Sequence, residues 1–252
     1  MSSAVEMGPP RWRGGTGDDV YQFYNASFDQ IFTIVELPDE GTDTLNFAGM
    51  TNAVIADLSS DTALATMTHR TVQCAAGQSA NIENVTGGSG NDSITGNAAD
   101  NLIIGNNGID TLIGGGGNDT LRGGAGNDIL QGTSGRNVMI GGQGIDTLIG
   151  GTDEDLMIAG GYLYENDAGV MRGMRSEWAL QIPYQTRIDH LTGTMSGGLN
   201  GGFLVKSSTV VADSAADTLT GGLGTDWFVA NTTTAPDTIN DKDTSETLTP
   251  TG

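Results

Sequence analysis

The segment GGSGNDSIT, residues 87–95, opens a run of eight nine-residue repeats that decides the architecture of this chain. The run continues GNAADNLII, GNNGIDTLI, GGGGNDTLR, GGAGNDILQ, GTSGRNVMI, GGQGIDTLI and GGTDEDLMI and ends at residue 158. Every repeat begins with glycine, has Asp or Asn in the sixth place and has an apolar residue in the eighth. A single nonapeptide cannot bury an apolar face alone, so a fixed period of this kind favours stacked repeats.

The places of the repeat predict short strands joined by tight turns. Glycines supply turn conformations with positive φ, and a triplet such as Asp-Thr-Leu then forms a strand with one inward side chain. Two repeats make one coil, so repeats two apart stack at about 4.8 Å. We expect an all-β fold, a coil with two short parallel strands per 18 residues. The predicted core ladder is Ile94, Ile103, Leu112, Leu121, Leu130, Met139, Leu148 and Met157.

The sixth-place residues predict a metal. Stacked carboxylates repel each other, and a hard divalent cation held between them by carboxylate and turn carbonyl oxygens would remove that repulsion. Ca²⁺ fits best, because it accepts six to eight oxygens in flexible geometry whereas Mg²⁺ keeps its waters. No Cys/His cluster suits a transition metal. We therefore expect several Ca²⁺ ions along the sixth-place residues Asp92, Asn101, Asp110, Asp119, Asp128, Asn137, Asp146 and Asp155.

The charge of the chain also predicts a bound cation. Its 252 residues include 31 Asp and Glu, only 10 Lys and Arg, and 40 glycines, which gives a formal net charge of −21. Self-repulsion and glycine entropy both favour disorder unless a cation neutralises the carboxylates. This charge argues against a nucleic-acid partner. No stretch approaches the roughly 18 apolar residues of a membrane span, and the single cysteine excludes an intrachain disulfide framework.

The repeats resemble GGxGxDxUx, with U a large apolar residue, the nonapeptide of the RTX (repeats-in-toxin), or haemolysin-type, calcium-binding proteins. The resemblance implies a parallel β-roll, a right-handed coil with Ca²⁺ in its turns, and folding after export into a calcium-rich medium. The beginning, MSSAVEMGPPRWRGG, lacks a hydrophobic signal core. We therefore expect an extracellular or cell-surface location, reached without a cleaved N-terminal signal, and a chain that is part of a longer protein.

Candidate metal-site residues are the sixth-place carboxylates together with the second- and fourth-place residues of the best-kept turns. An isolated copy, GGTGDDVYQ (14–22), adds a further candidate, as do two copies after residue 211. The full set is Asp19, Gly88, Gly90, Asp92, Asn106, Gly108, Asp110, Gly115, Gly117, Asp119, Gly124, Gly126, Asp128, Gly142, Gly144, Asp146, Asp155, Asp217, Gly222, Gly224 and Asp226.

Alternate repeats fall on two edges of the predicted roll, and the edges are unequal. The first edge, with turns 87–92, 105–110, 123–128 and 141–146, keeps Gly in the fourth place and Asp in the sixth. The second edge, with turns 96–101, 114–119, 132–137 and 150–155, has Asn101 and Asn137 in the sixth place and twice loses the fourth-place Gly. We expect weaker calcium binding at the second edge; the alternative is sequence drift without functional consequence.

The segments before and after the repeat array predict further structural elements. Met171, Met174 and Trp178, followed by a second stripe from Tyr184 to Leu191, have helical spacing and predict a two-helix insertion. Trp227 and Phe228 suit an aromatic cap on the roll. The predicted division is a disordered tail (1–13), an irregular roll entry (14–86) with a protruding loop near 62–80, the regular array (87–158), the insertion (159–201), the resumed roll with its cap (202–240) and a polar tail (241–252).

Motifs of catalysis are missing from the sequence. It contains no HExxH, no GxSxG and no GxxxxGK[ST], so we expect a protein that is not an enzyme. The predicted function is a calcium-binding β-roll that folds on Ca²⁺ after export, as a structural module of an extracellular bacterial protein. The alternative is a surface adhesion or carbohydrate-binding segment that presents residues 159–201 to a glycan or protein; an enzyme acting on polysaccharide is less favoured.

Overall fold

The computed structural model describes residues 11–25, 27, 29–36, 41–199, 204–206, 208–233, 235–242 and 244–251. The expected disordered tail lies outside these ranges up to residue 10, and its last three residues form a strand. The strands are β1 (Arg11–Arg13), β2 (Val20–Tyr24), β3 (Gln30–Val35), β4 (Thr44–Gly49), β5 (Val54–Asp57), β6 (Ala65–Met67), β7 (Arg70–Cys74), β8 (Asn84–Thr86), β9 (Ser93–Thr95), β10 (Leu102–Asn107), β11 (Thr111–Gly115), β12 (Thr120–Ala125), β13 (Ile129–Thr133), β14 (Val138–Gln143), β15 (Thr147–Gly151), β16 (Leu156–Ile158), β17 (Gly161–Tyr162), β18 (Val210–Val211), β19 (Thr218–Gly222), β20 (Trp227–Asn231), β21 (Thr238–Asn240) and β22 (Thr247–Thr251).

Two sheets are built from alternate strands of the array. The first has the order β1-β3-β7-β6-β5-β9-β11-β13-β15-β19-β21, and the second has the order β2-β4-β8-β10-β12-β14-β16-β20-β22. Strands two apart in the array pair in parallel at a step of 18 residues, so that Leu112 lies beside Leu130 and Leu121 beside Met139. These inward side chains are fully buried in one core shared by both sheets. The predicted parallel β-roll is therefore confirmed.

The entry region departs from the expected protruding loop. Strands β5, β6 and β7 form an antiparallel meander, and β7 then pairs in parallel with β3. Leu64, Ala65 and Val72 are buried there, and burial of these side chains is what holds the segment in the sheet. At this end of the roll the ring of Trp12 lies 4.9 Å from that of Phe32, within an aromatic cluster that covers the core.

Two helices form the predicted insertion, α1 (Ala168–Trp178) and α2 (Tyr184–Thr192). The carboxylate of Asp167 caps α1 by accepting hydrogen bonds from the backbone N–H groups of Gly169 and Val170. Buried side chains of both helices pack on the outer face of the second sheet, over β14, β16 and β20. Within the described residues, no helix has the length and apolarity to cross a membrane.

The roll resumes directly after the insertion, because β19 pairs with β15 and β20 with β16. Trp227 does not cap the end of the roll as expected: it faces outward and packs 6.0 Å from Trp178 under the insertion, while Phe228 points into the core. Adjacent strand residues face opposite sides, so one of the two must point outward. The expected polar tail includes β22, which pairs with β20 and so covers a strand edge that would otherwise be open.

Candidate metal centre

A ladder of hydrogen bonds links the sixth-place residues of the first edge. The backbone N–H of each donates to Oδ1 of the residue one coil further on, with distances of 2.7 Å from Asp92 to Asp110, 2.8 Å from Asp110 to Asp128 and 2.8 Å from Asp128 to Asp146. The same bond crosses the insertion, from Asp146 to Asp217 at 2.7 Å. One oxygen of each carboxylate is thereby fixed by the main chain.

The second edge has an equivalent ladder. The N–H of Asn101 donates to Asp119 at 2.8 Å, that of Asp119 to Asn137 at 2.9 Å, that of Asn137 to Asp155 at 2.7 Å, and that of Asp155 to Asp226 at 2.7 Å. An amide oxygen serves here as well as a carboxylate oxygen. The ladder therefore does not explain why most sixth-place residues are charged.

The second carboxylate oxygen supplies that explanation. In six of these residues Oδ2 is buried and has no hydrogen-bond partner among the described residues. Buried polar atoms are almost always paired, and leaving a buried charge without a partner costs several kcal/mol. Six buried oxygens in register therefore indicate a ligand that the protein itself does not supply. They belong to Asp110, Asp119, Asp128, Asp146, Asp155 and Asp226.

Each of these oxygens lies in a space kept open by the first-place glycine. A Cβ atom built on Gly105 would lie 2.7 Å from the carbonyl oxygen of Gly123 and closer still to Asp110 Oδ2; one built on Gly123 would lie 2.6 Å from the carbonyl oxygen of Gly141 and against Asp128 Oδ2. A side chain would fill this space, so only glycine lets a carboxylate oxygen and a carbonyl oxygen converge here. A hard cation with flexible oxygen coordination fits these donors, which are the ones that Ca²⁺ prefers.

Burial changes the acidity of the ladder. Desolvation raises the pKa of Asp110 to about 7, that of Asp128 to about 6 and that of Asp146 to about 8, although the hydrogen bond from the preceding coil acts in the opposite direction. On the second edge, desolvation likewise raises the pKa of Asp119 and Asp226 to about 7. Carboxylates in such surroundings resist ionisation unless a cation compensates for the lost water.

The ladder changes one expectation about the sites. On the first edge we expected each space between array coils to hold two stacked carboxylates, whereas the structure leaves one free carboxylate oxygen on each of Asp110, Asp128 and Asp146, because Oδ1 is held by the preceding coil. The turn positions follow the pattern more closely, and most candidate second- and fourth-place residues have positive φ, where glycine is favoured. These residues are Asn106, Gly108, Gly115, Gly117, Gly124, Gly126, Gly142, Gly144, Gly222 and Gly224.

The remaining candidates lie at the ends of the ladders. Oδ2 of Asp92 accepts a hydrogen bond from the backbone N–H of Gly88 at 2.7 Å, and Gly90 packs against the chain at Asn52 and Ala53. The N–H of Asp217 donates to Asp237 Oδ1 at 3.0 Å. Sequence reasoning missed Asp237, although the triplet Asp-Thr-Ile that begins there resembles the Asp-Thr-Leu of the array.

Asp19 lies apart from both array ladders, in an acidic group at the roll entry. Its carboxylate and those of Glu36 and Asp43 have oxygens within 4.8 Å of one another. The N–H of Asp19 donates to Asp43 Oδ1 at 2.9 Å, and the N–H of Asp43 donates to Glu83 Oε2 at 2.8 Å. Sequence reasoning did not select Glu36, Asp43 or Glu83. The triplet Asp-Thr-Leu at 43–45 was a signal that could have identified Asp43.

Comparison of the sequence with known protein families identifies a described repeat. Four copies of the RTX calcium-binding nonapeptide repeat match residues 79–112, 104–139, 131–161 and 207–232. No curated protein gave a significant match. The matched ranges contain both ladders and all six unpartnered carboxylate oxygens. Repeats of this kind bind Ca²⁺, and several copies imply several ions; residues 79–161 and 207–232 of this chain are RTX calcium-binding nonapeptide repeats.

Proposed function

We propose that this chain is a structural module that folds outside the cell when Ca²⁺ binds its turns. Its role is structural rather than catalytic. The observation that carries the proposal is the set of six buried carboxylate oxygens without hydrogen-bond partners. An apolar core alone would leave these groups as a cost to the fold. A bound cation turns the same groups into a source of stability.

Calcium would act as a folding switch for a simple thermodynamic reason. A ligand that binds only the folded state adds its binding free energy to the stability of that state, and the net charge of −21 opposes compaction in its absence. Extracellular calcium modules bind with dissociation constants of about 10⁻⁴–10⁻³ M. Such affinity would leave the chain unfolded at low intracellular calcium and folded after export.

Circular dichroism of calcium-free protein at pH 8 tests the proposal. We expect a largely disordered spectrum that becomes β-rich on titration with Ca²⁺ and stays disordered with equal Mg²⁺, which keeps its waters. A β-rich spectrum in excess chelator at that pH would contradict the proposal.

A second candidate function, binding of a neutral glycan, is favoured by a recess between the second sheet and the start of α1. The recess holds about 180 Å³ and is lined by Leu102, Ile104 and Met171 on its apolar side and by Thr120 and Arg122 on its polar side. An open groove of about 1170 Å³ adjoins it, shares Arg122, and passes over the turns of the first edge. The arrangement offers room for one sugar ring and for the chain attached to it.

The polar groups of the recess match the hydroxyls of a sugar. Among the described residues, the hydroxyl of Thr120 is buried without a hydrogen-bond partner. Arg122 Nε is also buried without a hydrogen bond, although it lies 3.4 Å from Glu165 Oε1. Because Glu165 balances the charge of Arg122, the recess favours a neutral ring, whose C–H face would pack on Leu102 and Ile104.

Glycan binding is tested with folded, calcium-saturated protein. We expect neutral oligosaccharides to be retained in preference to acidic ones on a glycan array. The variant Ile104→Trp should fill the recess and abolish binding, whereas Ile113→Trp, at the same place of a repeat on the other sheet, should not. No retained glycan, or equal loss in both variants, would exclude this function.

A further inference from the structure

The helical insertion reaches across the second sheet to the turns of the second edge. Arg175 Nη1 donates to the carbonyl oxygens of Asp100 at 3.0 Å and Asn101 at 3.1 Å. Further along the edge, Trp178 Nε1 donates to the carbonyl oxygen of Glu154 at 2.8 Å, and the hydroxyl of Tyr184 donates to that of Asp226 at 2.8 Å. Turn carbonyls of this edge are therefore bonded to protein donors.

Positive charge accompanies these contacts. The carboxylate of Glu154 lies 2.6 Å from Arg136 Nε and 2.8 Å from Arg187 Nη2. The guanidinium of Arg187 is fully buried and lies 4.8 Å from the ring centre of Trp178. Three of the ten basic residues of the chain thus lie at one edge. The four array turns of the first edge contain no Lys or Arg.

One of the two sixth-place asparagines, Asn101, lies at the turn that Arg175 contacts. Asn101, whose carbonyl is bonded by Arg175, has a fully satisfied side chain: Oδ1 accepts from the N–H of Asn97 at 2.9 Å, and Nδ2 donates to the carbonyl oxygen of Glu83 at 2.8 Å. Its neighbour one coil on, Asp119, keeps a buried oxygen without a hydrogen bond. Arg175 already interacts electrostatically with the carboxylates of Asp100 and Asp119, so an aspartate at position 101 would add a third negative charge to this place.

We infer that Arg175 supplies, between turns 96–101 and 114–119, the positive charge that calcium supplies at the first edge, and that Asn101 is neutral because that charge is already present. The inference rests on the proposed function, since it concerns how the charge of a calcium-dependent roll is distributed. At this turn the insertion is then a counterion as well as a cover for the second sheet. Calcium remains the counterion further along this edge, where Asp155 and Asp226 keep buried oxygens without hydrogen bonds.

The first test compares two arginines of α1 that lie less than one turn apart. Arg175→Gln removes the donor to the turn carbonyls, whereas Arg172→Gln removes the same charge from an exposed position. Loss of a charged hydrogen bond, spread over several ions that bind together with folding, should raise the calcium midpoint of folding about two-fold for Arg175→Gln. We expect no change for Arg172→Gln, and equal midpoints in the two variants would overturn the inference.

The second test counts bound ions by isothermal titration and native mass spectrometry. Asn101→Asp alone should bind no additional Ca²⁺, because Arg175 neutralises the new carboxylate. The double variant Arg175→Gln/Asn101→Asp should bind one more ion than the wild type. An additional ion in the single variant, or none in the double variant, would overturn the inference. A wild-type chain whose folding does not depend on calcium would instead contradict the proposed function. Failure of the inference and failure of the proposed function are therefore distinguishable.

Discussion

The backbone N–H of Asp110 donates to Oδ1 of Asp128, one coil further on, at 2.8 Å. The two oxygens of the Asp128 carboxylate therefore have different roles. Oδ1 sets the register between coils, and Oδ2 is left in the space beside the first-place glycine. A residue that only set register could be Asn, as Asn137 shows on the other edge. The charge of Asp128 is therefore present for the cation.

Acidity should substitute for calcium in part. Burial raises the pKa of Asp110 to about 7 and that of Asp146 to about 8, from about 3.9 in an unfolded chain. Between these values the folded state binds more protons than the unfolded state, so the stability of the calcium-free chain falls as pH rises from about 4 to about 8. In calcium-free buffer we expect more β structure by circular dichroism at pH 4.5 than at pH 8.

The effect of pH on folding is opposite when calcium is present. The metal needs ionised carboxylates, so the calcium midpoint of folding should rise as pH is lowered from 8 to 6. A calcium-free chain that is equally disordered at pH 4.5 and pH 8 would show that desolvation of the ladder does not control folding.

The first-place glycines should be required for the metal. Gly105→Ala places a methyl group against Asp110 Oδ2 and 2.7 Å from the carbonyl oxygen of Gly123, so we expect the loss of one bound ion and a higher calcium midpoint. Gly116→Ala is the control, because its new Cβ would meet no atom nearer than 3.5 Å. Equal calcium counts in both variants would place the ion elsewhere in the turn.

The middle of the core ladder should carry much of the stability. Leu121 is fully buried, and Leu121→Ala should lower the free energy of unfolding by about 2–5 kcal/mol through lost burial and a residual cavity. Ile129 is 45% exposed on the outer face of the first sheet, and Ile129→Ala should cost much less. Urea denaturation in saturating calcium measures both, and similar losses would show that the array is not the centre of stability.

Sixth-place charge should set the number of ions at each edge. Asp128→Asn removes one free carboxylate oxygen and should remove one ion. Asn137 Nδ2 donates to the carbonyl oxygen of Gly135 at 2.9 Å, and Asn137→Asp should replace this bond with a calcium site. Unlike Arg175, Arg136 has its Nε 2.6 Å from Glu154 and does not bond the carbonyls of this turn. Unchanged ion counts would mean that carbonyl oxygens alone decide affinity.

Residues governed by the nine-residue period could be predicted from the sequence, and residues placed by long-range contacts could not. Leu121 and Asp119 occupy the core and the ladder as their places in the repeat require. The meander at β6 and β7 was missed because Leu64 and Val72 stand in no repeat, and their burial depends on strands distant in sequence. Arg175 gave no signal as a partner of Asn101, since only the packing of α1 brings the two residues together.

The insertion occurs between two coils that remain neighbours. Asp128 and Asp146 are joined by a bond of 2.8 Å across 18 residues, and Asp146 and Asp217 by one of 2.7 Å across 71. The spacing of the ladder is therefore independent of how much chain separates successive coils. A folded unit of different length could therefore replace the insertion after Ile158 while the strands on either side keep their register.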